Sequence, residues 1–283
     1  MITTLMAAGV LALAASQQQM DTTFAVRPGG ELRLEAVNGS VTIDTWDRDA
    51  MRVRARHAGS TVIELERSGS EVSIDARHRG MPQAVTFQVT VPRNYQLDIE
   101  GMSLQITVTG LRGSATLENA HGAIVVRDVT GHVEIESVSG GVTVENVRGD
   151  ISVSTVNQAI SISGSRGDID ASTVNGSIVM RNVDSSAVDA STVNGLVEYF
   201  GTVHDDGDYF LGTHNGRITM GIPERANARV GIEARNGRVE SDFPVRVDGA
   251  REGEHGFTLG SGSARIDLES YNGTIHLVRP RGR

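Results

Sequence analysis

The chain contains no cysteine and no lysine. The first absence excludes disulfides, thiol nucleophiles and cysteine-ligated metals. The second excludes a Schiff-base lysine, since every one of the 26 basic residues is arginine. Proline is scarce, with 6 in 283 residues, and Phe, Trp and Tyr together make up 4%. That leaves few large anchors for a bulky globular core and few stacking platforms for a sugar groove. Positive charge is also in deficit, and a formal net charge of −9 argues against a nucleic-acid partner. Beyond the first 16 residues, no apolar run approaches the ~20 residues a membrane-spanning helix needs.

What is present is glycine, 33 residues of it, with frequent Val, Ile, Ser and Thr, a composition suited to pleated strands and tight turns. Residues 5–15, "LMAAGVLALAA", have the length of a signal-peptide apolar region and precede an abrupt switch to "SQQQMD". Small residues at Ala12-Leu13-Ala14 and Ala14-Ala15-Ser16 offer cleavage sites. We read residues 1–16 as a signal peptide, which predicts an exported mature chain: periplasmic, cell-surface or extracellular.

From residue 113 the chain divides into blocks of eighteen without a gap: "GSATLENAHGAIVVRDVT", "GHVEIESVSGGVTVENVR", "GDISVSTVNQAISISGSR" and "GDIDASTVNGSIVMRNVD". Each block splits into two nines of the form Gly, x, apolar, x, apolar, x, x, Val, x. The register extends back to residue 95 and forward to 272, with insertions at 185, 204–206, 225–227 and 246–263. Apolar residues two apart on a strand share a face, and a turn must follow. Strand, turn, strand and turn bring the chain back to its start, and each circuit stacks on the last to build a core that one repeat could not bury. The prediction is an all-β fold: a parallel β-solenoid (β-helix) with about 18 residues per rung and two strands per rung. Residues 24–94 form an N-terminal β segment with a first rung (30–47) and an antiparallel insertion or cap (48–94). Residues 95–283 form the rod, with the 246–263 insertion as a hairpin or flap.

The phrase "STVN" recurs at 154–157, 172–175 and 191–194. Asn157, Asn175, Asn194, Asn215, Asn236 and Asn272 share position nine of the first half-repeat, where stacked amides can hydrogen-bond from rung to rung and Asn tolerates a left-handed turn. Val156, Val174 and Val193, just before them, are expected to point into the core.

Several motifs tempt a functional reading. Arg-Gly-Asp occurs at 148–150 and 166–168, one rung apart in a tight turn, whereas cell-attachment recognition favours a protruding loop. A calcium β-roll needs a carboxylate at a fixed place in every nonapeptide. Position six instead runs Glu136, Glu145, Ser154, Ser163, Ser172, Arg181. Asp205, Asp206 and Asp208, with His204, are weak metal candidates that lack a complete ligand set. The aligned Thr155, Thr173, Thr192 and Thr213 form one column, not the paired rows of an ice-binding face. No nucleophile elbow, phosphate loop or cofactor motif is present.

The segments "VNGSVTIDTWDRD" (37–49) and "VTVPRNYQLDIEG" (89–101), with the repeats that follow, resemble the bacterial putative-adhesin family, Gly- and Val-rich β-solenoid domains of unknown function. The resemblance covers essentially the whole mature chain. It implies an exported or envelope-associated protein and supplies no catalytic residues. The expected function is a non-catalytic, adhesin-like structural or interaction module of the envelope or surface, whose partner is an unidentified protein or glycan component. The alternative is a carbohydrate-active β-helix enzyme, a polysaccharide lyase or hydrolase.

Overall fold

The computed structural model describes residues 17–244 and 254–280. The expected signal peptide, 1–16, and part of the 246–263 insertion lie outside them. Among the described residues there are 21 strands and no helix, joined into one parallel-rich, solenoid-like sheet. No helix there is long and apolar enough to cross a membrane.

Through the middle of the chain, strands pair in parallel with partners eighteen residues away: Leu97 with Ala115, Val133 with Ile151, Ile151 with Ile169. The single-residue insertion at 185 widens the step to Ile169–Val188, and the 204–206 insertion widens it again to Val188–Tyr209. Both insertions sit at corners, so register resumes beyond them. Positions three and five of each nine point inward. Val133, Ile135, Val144, Ile160 and Ile162 are all buried, and they join a single aliphatic core that runs the length of the stack.

The layers do not follow chain order at either end. The strand Glu31–Trp46 lies between Gln96–Thr109 on one side and Glu71–His78 with Val85–Pro92 on the other. Residues 71–92 therefore contribute a parallel outermost layer, where the sequence pattern predicts only an antiparallel insertion or cap. The antiparallel cap is built by Ala50–Ala58 on Val85–Pro92, Gln17–Ala25 on Ala50–Ala58, and Thr61–Ser68 on Glu71–His78. At the other end, Ala264–Val278 pairs with Asp208–Gly221 and also with Ala228–Ala234 and Arg238–Ser241. The later strand thus fills a gap left beneath the earlier one. Glu254–Leu259, from the 246–263 insertion, pairs antiparallel with Ala228–Ala234 and covers that edge. Covered edges offer no template for another chain.

The two nines of a block are not equivalent. In the second nine the eighth residue is buried, as at Val129, Val147 and Val183. In the first nine it is exposed: Val138, Val156, Val174 and Val193 all face solvent, contrary to the inward orientation the repeat suggests. Strand alternation simply continues through position seven, which points inward at the corner where space is small. Position seven is accordingly occupied by Asn119, Ser137, Thr155, Thr173, Thr192, Thr213 and Ser270, all buried. Thr192 Oγ1 donates to the Gly176 carbonyl of the layer below at 3.0 Å, and Thr213 Oγ1 to that of Gly195 at 3.3 Å. The threonine column therefore lies inside the corner and presents no array to solvent.

Candidate functional site

Consecutive strands of the first half-repeat expose positions four, six and eight, so each position forms a column running along the stack. Column six brings Asp75, Glu35, Glu100, Glu118 and Glu136 into register on adjacent layers. This carboxylate ladder is absent from the nonapeptide reading because every second member there comes from the opposite face. Reading every eighteenth residue from Glu100 would have revealed Glu118 and Glu136, but Glu35 and Asp75 join the ladder only through the out-of-order layers. Column four adds Asp98 and Glu134, with Asp170 and Asp189 further along.

Arg33 neutralises one end of the ladder. It binds Glu100 at 2.8 Å and lies 3.4 Å from Glu35 and 3.7 Å from Asp98. Among the described residues no ion pair involves Glu118, Glu134 or Glu136. On the opposite face charges do pair, Arg127 with Glu145 at 2.7 Å and Arg181 with Glu198 at 2.6 Å. Desolvation first, and then Glu100, Glu136, Asp98 and Glu134, hold the Glu118 carboxyl above the usual glutamate range. A raised folded-state value means that ionised Glu118 opposes folding at neutral pH, and that this penalty fades as pH falls through the raised value. Glu118→Gln is therefore expected to raise the melting temperature slightly at pH 7 and to leave it unchanged near pH 3. Thermal melts at the two pH values would check this, and a lower melting temperature at pH 7 would contradict it.

Column eight is apolar. Met102, Val138, Val156, Val174 and Val193 are between 38% and 59% exposed. Beyond them His214 and Tyr271 stack face to face, with ring centroids 4.7 Å apart. Columns six and eight together line a groove of about 660 Å³ that includes Glu100, Glu118, Glu136, Met102, Val138 and Val156.

The asparagine column borders this face. Asn175 donates to Asn157 Oδ1 at 3.0 Å, Asn194 to Asn175 at 2.8 Å, Asn215 to Asn194 at 2.9 Å, and Asn272 to Asn215 at 2.9 Å. The last step skips from 215 to 272 because the 264–278 strand is intercalated. Asn236 stands in the layer beyond, its backbone N–H donating to the Tyr271 carbonyl at 2.8 Å. None of these asparagines is left-handed. Among the described residues, the non-glycine positions with positive φ are Asp128, Asn146 and Asn182, which form the other corner of the coil. Replacing Asn175 with Leu removes one amide bond donated and one accepted. The expected loss is about 1 kcal/mol in urea unfolding, on the scale of a modest net hydrogen-bond contribution. An unchanged midpoint would deny the ladder a role in stability.

The other sequence candidates are held apart. His204 Nε2 lies 2.7 Å from Asp184 Oδ1, and Asp205 accepts from Asn227 at 3.0 Å. Asp208 enters the strand Asp208–Gly221, and Asp206 lies in the preceding turn. Among the described residues no group of three or more His, Asp or Glu side chains is placed to hold a metal ion. The loop is tied instead to a buried tyrosine: the His204 N–H donates to Tyr209 Oη at 2.9 Å, and that hydroxyl donates to the Ser185 carbonyl at 2.8 Å. Both Arg-Gly-Asp copies lie in the laddered backbone, with Arg148 bridged to Thr130 and to Arg166. The Gly149 N–H donates to the Arg166 carbonyl at 2.8 Å, so neither copy protrudes as a loop.

A second groove, of about 450 Å³, contains Asp150, Asp168, Asp170, Asp189 and Asp208 with His132. Asp170 and Asp189 are register partners on adjacent strands. Desolvation and then Asp170 hold the Asp189 carboxyl above the usual aspartate range.

The family model described as Toastrack DUF4097 matches residues 30–278. No curated protein matches the chain. Solved structures similar to it include a "putative cell adhesion protein" from Clostridium sporogenes and a "putative adhesin" from Bacteroides fragilis. The first is 12% identical, over 92% of this chain and 99% of that one, with a TM-score of 0.26. The second is 11% identical, over 93% and 99%, with a TM-score of 0.46.

Proposed function

The chain belongs to the Toastrack DUF4097 family over residues 30–278, and from that premise we propose that it is an exported, non-catalytic interaction module of the cell envelope or surface, adhesin-like in its mode of contact. One observation carries this reading. The outward face of the first half-repeat places an exposed apolar column directly beside unpaired carboxylates across consecutive layers. Contiguous exposed apolar surface marks interaction sites. The partner is an unidentified envelope or surface component, protein or glycan, and no cofactor is invoked.

The Asp170–Asp189 groove is what favours the alternative, a carbohydrate-active enzyme. Glycoside hydrolysis needs two carboxylates flanking the scissile bond. Asp170 and Asp189 stand side by side on one wall, on strands about 4.8 Å apart along the stack. Two carboxylates that flank a glycosidic bond stand on opposite sides of it, and the shared wall of this pair supports the interaction module as the preferred reading.

Incubating the exported protein with a panel of glycans and envelope fractions tests both readings. Retention of a component without turnover is expected. Release of reducing or unsaturated sugar that disappears in Asp170→Asn or Asp189→Asn would replace the interaction module with the enzyme. Fractionation of cells producing the full chain should place it outside the cytoplasm, and retention inside would remove the export part of the proposal.

A further inference from the structure

The exposed apolar column has a direction and a pitch that restrict what can lie on it. It runs along the stack, across the strands, and advances one side chain per layer, about 4.8 Å. From Met102 to Val193 it crosses six layers, those containing Met102, Ala120, Val138, Val156, Val174 and Val193. Five steps at that spacing span about 24 Å. An extended strand laid lengthwise would present same-face side chains about 6.7 Å apart and lose register after two residues. An α-helix presents its apolar ridge once per turn, about 5.4 Å, so its mismatch grows by only about 0.6 Å per turn, against about 1.9 Å per step for the strand. At 1.5 Å per residue the column accommodates about 16 helical residues.

Charge selects a basic partner. Over its first layers one flank of the column carries Glu100, Glu118, Glu134 and Glu136, and it continues as Ser154, Ser172 and Ser191; among the described residues, only Glu100 of these carboxylates has an arginine partner, Arg33. The other flank, at the corner, carries Ser103, His121, Ser139, Asn157, Asn175 and Asn194, with no carboxylate and no arginine among them. A second copy of this chain would set these carboxylates against serines in antiparallel register, where the first-half strands between residues 97 and 194 supply no arginine, and against its own carboxylates in parallel register, which like-charge repulsion opposes. An anionic lipid surface is repelled for the same reason.

We propose that this face docks a basic amphipathic α-helix of a partner polypeptide, about 16 residues long, with its apolar ridge on the Met102–Val193 column and its arginine or lysine flank on Glu118, Glu134 and Glu136. The carboxylates of the free protein then wait for a cation supplied in trans. The raised Glu118 value fits that arrangement, since an arriving cation favours the charged form. The proposal rests on the interaction-module reading and names both its surface and the chemistry of its partner.

The test uses a 16-residue fluorescent peptide with Leu at helical spacing and Lys along one flank, titrated into the full chain and followed by anisotropy. Two controls accompany it: a scrambled peptide of the same composition, and the same helix with Glu in place of Lys. Saturable binding of the first peptide alone is expected. A triple variant, Val138→Ser, Val156→Ser and Val174→Ser, should weaken it at least tenfold. The replaced side chains are exposed, and an unchanged melt would confirm that the stack is intact. Glu118→Gln with Glu136→Gln, a second and milder variant, should also weaken binding and flatten its salt dependence.

No binding at millimolar peptide overturns the proposal. So does equal binding of the scrambled peptide, or indifference to both variants. Adsorption to phosphatidylcholine vesicles that the triple variant abolishes, without peptide binding, would assign the column to a membrane surface. A concentration-dependent dimer that the triple variant abolishes would assign it to self-association. Either result overturns the helix. If envelope components are retained equally by the triple variant and the wild type, the interaction-module reading stands and this surface is excluded from it.

Discussion

Truncating the chain after residue 263 is expected to destroy the folded stack well inside the point of truncation. In a coil wound in strict sequence order, removing the last strand strips one terminal layer and leaves the rest intact. Here the strand Ala264–Val278 is the penultimate layer. Its removal leaves Asp208–Gly221 with an open edge, and it leaves Ala228–Ala234 with only its antiparallel partner Glu254–Leu259. Ile266, Leu268, Ile275 and Leu277 are fully buried. Each such side chain contributes about 1.5–3 kcal/mol by burial, so their joint loss is on the scale of a typical domain's entire stability.

Limited proteolysis should cut the truncated chain throughout 208–263, and its melt should begin far below that of the full chain. A comparison deletion joins Gly221 to Ala264 through a short glycine–serine linker. It restores sequence order and should keep a cooperative transition, lowered by the loss of one layer and its cap. If the 263 truncation melts like the full chain, the intercalated strand is not what holds this end.

Gly195→Ala, a methyl addition at the asparagine corner, should be strongly destabilising. A Cβ at Gly195 would lie 1.9 Å from the Gly176 carbonyl oxygen, and one at Gly216 would lie 1.7 Å from that of Gly195. The obstacle is the backbone of the adjacent layer, which cannot step aside without opening the stack. We expect a loss of about 3 kcal/mol, the upper part of the range for overpacked sites. Gly141→Ala, where nothing lies within 4 Å and φ is not positive, should change the urea midpoint little. Equal effects at the two positions would show that layer contact is not the constraint. Gln158 occupies the equivalent position in one layer, and there the strand Ile151–Thr155 stops before the corner. By contrast, Ala187–Gly201 runs through the corner without a break.

The pattern of nines suggests a symmetric repeat, and the structure is asymmetric about its two corners. Val147 and Val138 occupy the same position of the motif, yet one is buried and the other exposed. The distinction is local but faint. It lies in position seven, where Asn119, Ser137, Thr155 and Thr173 in one half face inward, while Asp128, Asn146 and Asn182 in the other take positive φ and turn the chain. A left-handed residue at position seven interrupts alternation and brings the eighth residue inside, whereas an extended small residue preserves alternation and leaves the eighth outside. The carboxylate ladder followed from the same distinction, since it exists only once the two halves are separated.

The sequence by itself determined the strand-and-turn alternation, the inward residues at positions three and five, and the parallel stacking of contiguous blocks. These depend on spacing of two along a strand and on glycine where layers touch, and both are written residue by residue. Only the tertiary structure decided that Glu31–Trp46 and Ala264–Val278 lie one layer in from the ends. Any strand of this repeat presents the same backbone donors and acceptors and nearly the same aliphatic pair to its neighbours. Which strand occupies which gap is therefore settled by the caps, through antiparallel pairings such as Ala50–Ala58 with Val85–Pro92 and Ala228–Ala234 with Glu254–Leu259. Those are contacts between segments that no local pattern connects.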